Sequence, residues 1–286
     1  MSPTLAPRNR GRECDAGTVT TSQTSHVDAA SAVSQVADGL YSTELDGDWS
    51  IGNAMNGGYL QLPLLRAVLA ESALPHPIAV TTDFLAPPAG GTASIEVERL
   101  REGRSAGTYR AVLRQDGKAL LTASVVTGTL TEDAVPEATR FAVPDVPAPQ
   151  ECFRVPADTG TGVRVGLLDH VEVLISPESG TALAGDRSLR LTGWFRAGED
   201  VEPDPLLCVL GCDAFAPVTF TLGRYGWAPT VQLSTYLRAL PVPGWLRVEV
   251  TGSLVADGWF DEECAMYDGA GRLVAQSRQI ARTPRG

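Results

Sequence analysis

The chain has 286 residues, 43% of them apolar, enough for a sizeable core and too many for global disorder. Asp and Glu number 34 against 23 Lys and Arg, a formal net charge of −11, which argues against nucleic acid or an anionic membrane as the main partner. No apolar run approaches the ~18 residues of a membrane span, the start lacks a signal-peptide centre, and five cysteines form no C-x-x-C pair, so a cytoplasmic protein with reduced thiols is expected.

In chain order, residues 1–27 are rich in Thr, Ser, Gly and Arg and are expected to be a mobile tail. A short helix is expected over Asp28–Ala37, capped by Asp28, with Ala29, Ala32, Val33 and Val36 on its apolar side. Leu40–Leu45 reads as a strand, followed by the turn Asp46-Gly47-Asp48. Asn56-Gly57-Gly58-Tyr59 then opens an apolar run to Ala73. Asn56 suits an N-cap, and the glycines admit a second backbone or a ligand. Pro63 is expected in the first turns, where its missing donor costs little. Amides at this helix start could hold a carbonyl oxygen or an anion. Glycines needed only for tight packing would leave the same trace.

Strands are expected at Ala79–Leu85, Ser94–Leu100, Ala106–Gln115 and Leu120–Thr127, with turns at Glu102-Gly103 and Asp116-Gly117. A strand, a long helix and an antiparallel meander make one α+β unit over residues 28–130. Residues 131–151 are rich in Pro, Ala and Val and read as a linker. The second unit, residues 152–286, repeats the order. Its strands are expected at Leu168–Ser176, Ser188–Phe195, Pro229–Arg238, Leu246–Val255, Trp259–Tyr267 and Arg272–Arg282, with a helix at Pro205–Phe215. The halves superpose at an offset of roughly 152 residues, a duplicated unit. That offset sets Gln61 opposite Asp213, Ile78 opposite Thr230 and Thr127 opposite Gln279.

The second helix is apolar on all faces between Pro205 and Pro217, which marks it as buried. Cys208 and Cys212 lie one turn apart on it with no His near, so packing is favoured over metal binding. Asp213 is the exception. A buried carboxylate must be hydrogen-bonded, paired or protonated, either to tie the following loop to the helix end or to serve a site.

One helix against an antiparallel sheet, present twice, resembles the double hotdog fold. Asn56-Gly57-Gly58-Tyr59, the helix end Gly211-Cys212-Asp213-Ala214-Phe215-Ala216-Pro217 and the final strand Leu273–Gln279 resemble the acyl-CoA thioesterase II family from about residue 35 onward. The resemblance implies hydrolysis of an acyl-CoA or acyl-carrier thioester by a water held among an Asp, a Thr and a Gln, here Asp213, Thr230 and Gln279. It implies no cofactor and no metal. Asn56, Gly57 and Gly58 would then stabilise the oxyanion. Many relatives carry an acid two positions after the Thr; here that position is Gln232, a departure expected to lower the rate.

Leu60, Leu64, Phe84, Leu207, Phe215 and Tyr236 are candidates for an acyl tunnel. Arg99, Arg101, Arg104 and Arg238 are candidates for a phosphate patch. No Gly-x-Ser-x-Gly elbow occurs, and His26, His76 and His170 stand apart. A hydratase would need a His close to Asp213, which is absent. Two alternatives stay open: a pathway-specific hotdog enzyme acting on a carrier-bound or already cyclic substrate, and a catalytically silent protein that binds an acyl or other apolar ligand. A homodimer is expected if hotdog units pair beyond the internal pair.

Overall fold

Alternating apolar and polar residues direct most of this chain into strands, and two segments apolar on every face become its central helices. A computed structural model describes residues 25–159 and 163–284. The first half runs α1 (His26–Ala30), β1 (Val33–Ala37), β2 (Leu40–Leu45), β3 (Ser50–Ile51), β4 (Ala54–Met55), α2 (Gly57–Glu71), β5 (His76–Phe84), β6 (Gly91–Glu102), β7 (Gly107–Gln115) and β8 (Lys118–Gly128). The second runs β9 (Phe153–Arg154), β10 (Glu172–Ile175), α3 (Pro177–Ala182), β11 (Arg190–Arg196), α4 (Pro205–Gly211), β12 (Thr230–Leu237), β13 (Leu246–Thr251), β14 (Val255–Ala256), β15 (Trp259–Tyr267) and β16 (Leu273–Arg282).

Fourteen strands form one antiparallel sheet in the order β1-β2-β6-β7-β8-β5-β12-β16-β15-β13-β11-β10-β9, with β14 beside β15. The halves join where β5 pairs with β12, from Gln232 opposite Asp83 to Tyr236 opposite Ala79. Helix α2 packs on β5 to β8 and on α4, and α4 packs on β12 and β16. This is the double hotdog arrangement, an α+β fold with two central helices side by side. The helices approach without side chains between them at one point. A Cβ on Gly58 would stand 2.8 Å from the Leu210 carbonyl oxygen and 3.1 Å from Asp213 Cβ. Gly58→Ala is therefore expected to force the helices apart and to cost about 1–3 kcal/mol, read as a lowered thermal midpoint.

Several expectations change. The first helix ends at Ala30, because Ser25 and Asp28 form a capping box that starts it at His26. Val33–Ala37 is instead strand β1 beside β2, which suits its β-branched residues. The expected tail thus already contributes structure from Ser25; the rest of it, with Cys14, lies outside the described residues. Pro63 falls in the second turn of α2, within the first turns as expected, though there the amide it lacks would have served the helix. Helix α4 stops at Gly211 and a 3-10 turn spans Val218–Leu222. The strand expected from Leu168 begins only at Glu172, after a 3-10 turn at Gly166–Asp169. Helix α3 was signalled by Ser176-Pro177, an N-cap and an N1 proline.

The uniform offset also fails locally. Val80 and Thr82 on β5 face the core, as do Leu233 and Thr235 on β12, so those strands correspond by an odd number of residues. Ile78 and Thr230 are not equivalent positions. Counted from the helix starts, Asp213 lies four residues further along than Gln61.

Candidate active site

The start of α2 is built around Asn56. Its side-chain oxygen accepts from the Tyr59 amide at 2.9 Å, capping the helix. Its Nδ2 crosses to the second half, donating to the Asp213 carbonyl at 2.7 Å and to Asp213 Oδ2 at 3.1 Å. The Gly58 amide donates to the same Oδ2 at 2.8 Å. Asp213 itself hangs from the end of α4, its amide donating to the Leu210 carbonyl. The carboxylate thus sits on the amide end of α2, where the helix dipole favours negative charge. Burial pushes its pKa up to about 6, while the Gly58 and Gly57 amides and the Asn56 side chain oppose the rise. The second half supplies the carboxylate and the first half supplies its donors, so the site needs both.

Beside it runs a second chain of hydrogen bonds. Thr230, the first residue of β12, donates from Oγ1 to Gln279 Oε1 at 2.5 Å. Gln279 Nε2 donates to Glu262 Oε1 at 2.7 Å. Glu262 Oε2 accepts from the Val218 amide at 2.8 Å. Glu262 and Gln279 are direct partners across β15 and β16. Burial pushes the Glu262 pKa up to about 7, the negative charges of Asp213 and Asp261 add to the rise, and the Val218 amide and Gln279 oppose it.

Asn56, Gly57, Asp213, Thr230, Glu262 and Gln279 line one cavity of about 280 Å³. The structure therefore brings Asp213, Thr230, Gln279, Asn56 and Gly57 to one cavity, with Gly58 hydrogen-bonded to Asp213 beside it. The Gly58 amide is committed to Asp213, so it is not a free donor for an oxyanion.

Glu262 was missed from the sequence. Its signal was the run Asp261-Glu262-Glu263 inside an otherwise apolar strand, where two of three acids are buried. In the first half the matching strand pair holds Gly107 opposite Thr127. A Cβ on Gly107 would stand 2.6 Å from Thr127 Oγ1, so there is no room for a carboxylate there.

Gln232 is not part of the site. It is exposed, and its Nε2 donates to Asp83 Oδ1 at 2.7 Å on the opposite face of the sheet from the helices. Gln232→Glu would set two acids face to face across β5 and β12. It is expected to leave the turnover rate within about twofold and to lower stability by about 0.2–1 kcal/mol, measured by a denaturant midpoint.

Of the tunnel candidates, Leu60, Phe84 and Phe215 line the cavity. Leu64 and Leu207 belong to the core, and Tyr236 is 42% exposed away from it. The arginines do not gather at the mouth. Arg99 donates to the Glu71 carbonyl and pairs with Glu71 and Glu102, at the far end of α2. Arg238 lies beneath residues 134–143. Among the described residues no Lys or Arg lines the cavity.

Family models match both halves: an acyl-CoA thioesterase N-terminal domain over residues 45–131 and an acyl-CoA thioesterase C-terminal domain over residues 145–283. The chain belongs to the acyl-CoA thioesterase family. A candidate thioesterase II from Thermobifida fusca, known from its crystal structure, is 39% identical and superposes with a TM-score of 0.84, over 92% of this chain and 98% of its own. A hot dog fold protein of unknown function from Alicyclobacillus acidocaldarius is 22% identical with a TM-score of 0.79, over 91% and 98%; it bears on the fold alone. An uncharacterised protein of Mycobacterium tuberculosis is 31% identical over 86% of this chain and 91% of its own. This member of the acyl-CoA thioesterase family is thus of a hydrolase type whose substrate class is the acyl-CoA thioester. Among the described residues no helix is long and apolar enough to cross a membrane.

Proposed function

We propose that this protein hydrolyses an acyl thioester by direct attack of water, with Asp213 as general base. The observation that carries this reading is a carboxylate of raised pKa, fixed by donors from the other half, lining the same cavity as Thr230 and Gln279. A pKa near 6 leaves Asp213 ionised at neutral pH yet basic enough to take a proton as water attacks.

Gln279 is oriented at both ends, accepting from Thr230 and donating to Glu262. Its second N–H and the Thr230 hydroxyl are the groups that hold the water against Asp213. Asn56 and Gly58 position the carboxylate. The Gly57 amide, like that of Gly58, is directed at Asp213, so the positive end of α2 serves to hold the base. No covalent intermediate is needed: water adds to the carbonyl carbon, its proton passes to Asp213, and the C–S bond breaks as the thiolate leaves. That thiolate takes up a proton, and the acid is released.

The test is release of free thiol from acyl-CoA esters by the purified full chain. Turnover dependent on Asp213 supports the reading. Binding of an acyl thioester without turnover would instead favour the silent binding protein.

A further inference from the structure

Four of the chain's seven phenylalanines, Phe84, Phe215, Phe220 and Phe260, line the cavity that holds Asp213, and Trp227 joins them at the mouth. Aromatic residues are only 6% of the chain, so this is a concentration and not a sample of the core. Phe260 and Phe215 are 1% and 8% exposed, a fixed floor, while Trp227 is 50% exposed at the rim. The Phe84 ring comes close to the carboxylate of Asp213 across Gly57. A Cβ placed on Gly57 would lie 2.9 Å from both Phe84 Cζ and Asp213 Oδ2, so ring and carboxylate flank one point.

The compartment is also short. Its volume of about 280 Å³ falls at the low end of the ~300–1,000 Å³ of small-molecule sites. Among the described residues, the close contact of the two helices bounds it on one side. Gly58 abuts the Leu210 carbonyl, and Leu64 and Leu207, which would line a channel between them, are 0% and 3% exposed within the core. The rim carries Pro87 and Pro88 from the first half and Pro217 and Pro229 from the second. Their fixed φ angles resist widening of the mouth.

Resting on the hydrolase reading above, we infer that the acyl group accepted here is compact and ring-bearing, an arylacyl or small cyclic acyl group, and not a long straight chain. A flat ring meets Phe and Trp side chains edge-on or offset. It enters with few rotatable bonds to immobilise, whereas each methylene of a chain adds an ordering cost. A chain longer than the cavity leaves its end in water at the rim and gains nothing from its added length.

The experiment compares benzoyl-, phenylacetyl-, octanoyl- and palmitoyl-CoA on the full chain. It reads kcat/KM by thiol release, and separately reads affinity by calorimetry with non-hydrolysable thioether analogues of the same four esters. The expected result is a preference of at least about tenfold for the ring-bearing esters over palmitoyl-CoA, in both readouts. Phe215→Leu is expected to narrow that preference; Phe84→Leu, at the wall and not the floor, provides the same reading should Phe215→Leu fail to fold. Equal or better use of palmitoyl-CoA overturns the inference and leaves the hydrolase reading standing. Tight binding of ring-bearing analogues without turnover keeps the inference and removes the hydrolase reading. No binding of any analogue overturns both.

Discussion

Asp213→Asn is expected to lower kcat/KM for thioester hydrolysis by about 10²–10⁴-fold while leaving the protein at least as stable as the parent. The loss follows from removing the base: general-base catalysis contributes an effect of that order. The retained stability follows from the hydrogen bonds. Asn at 213 can still accept from the Gly58 amide, and its backbone carbonyl can still accept from Asn56. The buried charge disappears, and with it the desolvation that raises the carboxyl from 3.8 to about 6. Because the folded state holds this proton more tightly than the unfolded chain, the parent loses stability as pH rises from about 4 to about 6. The Asn variant has no such group. Its advantage should therefore be absent near pH 4 and reach about 1–3 kcal/mol above pH 6, read from denaturant midpoints across that range. The parent's kcat/KM should fall as pH drops through about 6, when Asp213 takes up its proton. A variant that kept full activity, or that lost stability along with activity, would assign Asp213 to the structure of the helix junction and not to chemistry.

The sequence made the helices and strands legible because their signals are local. Asn56 caps α2 through its own side chain three residues back from Tyr59, and Pro205 opens α4 at its first position. Asp213 stood out because no apolar helix holds a free carboxylate without reason. What was not legible depends on strand register and chain crossing. Glu262 matters because β15 sets it opposite Gln279, a pairing that no local pattern states. Gln232 looked like a defect in the site because it lies two residues after Thr230. An irregularity in register between Thr230 and Gln232 and the pairing with Asp83 put it on the other face instead. The arginine candidates failed for a similar reason: charge in sequence says nothing of which end of a helix it decorates, and Arg99 is held at the far end of α2 by Glu71.

Glu262→Gln tests whether the second carboxylate positions the site. Glu262 accepts at both oxygens, from Gln279 and from the Val218 amide. A glutamine can replace only one of those acceptors. If its oxygen keeps the Val218 amide, its NH₂ faces the NH₂ of Gln279, and the Gln279 amide must turn over. Gln279 then presents its NH₂ to Thr230, whose hydroxyl changes from donor to acceptor, and the donor pattern offered to the water is inverted. The expected outcome is a fall in kcat of about 10–100-fold with KM little changed, since the change alters the orientation of Gln279 and not the aromatic residues of the cavity. Glu262, with a pKa of about 7, is already largely protonated where Asp213 titrates near 6, so the acid limb of the pH profile should stay close to its parental position. A role confined to packing would lower stability and leave kcat of the folded variant near the parental value. Gln279→Glu in the Glu262→Gln background restores one donor–acceptor pair in reversed order. It should recover part of the rate if Gln279 is held by its partner across the strands, and none if Glu262 acts on the water directly.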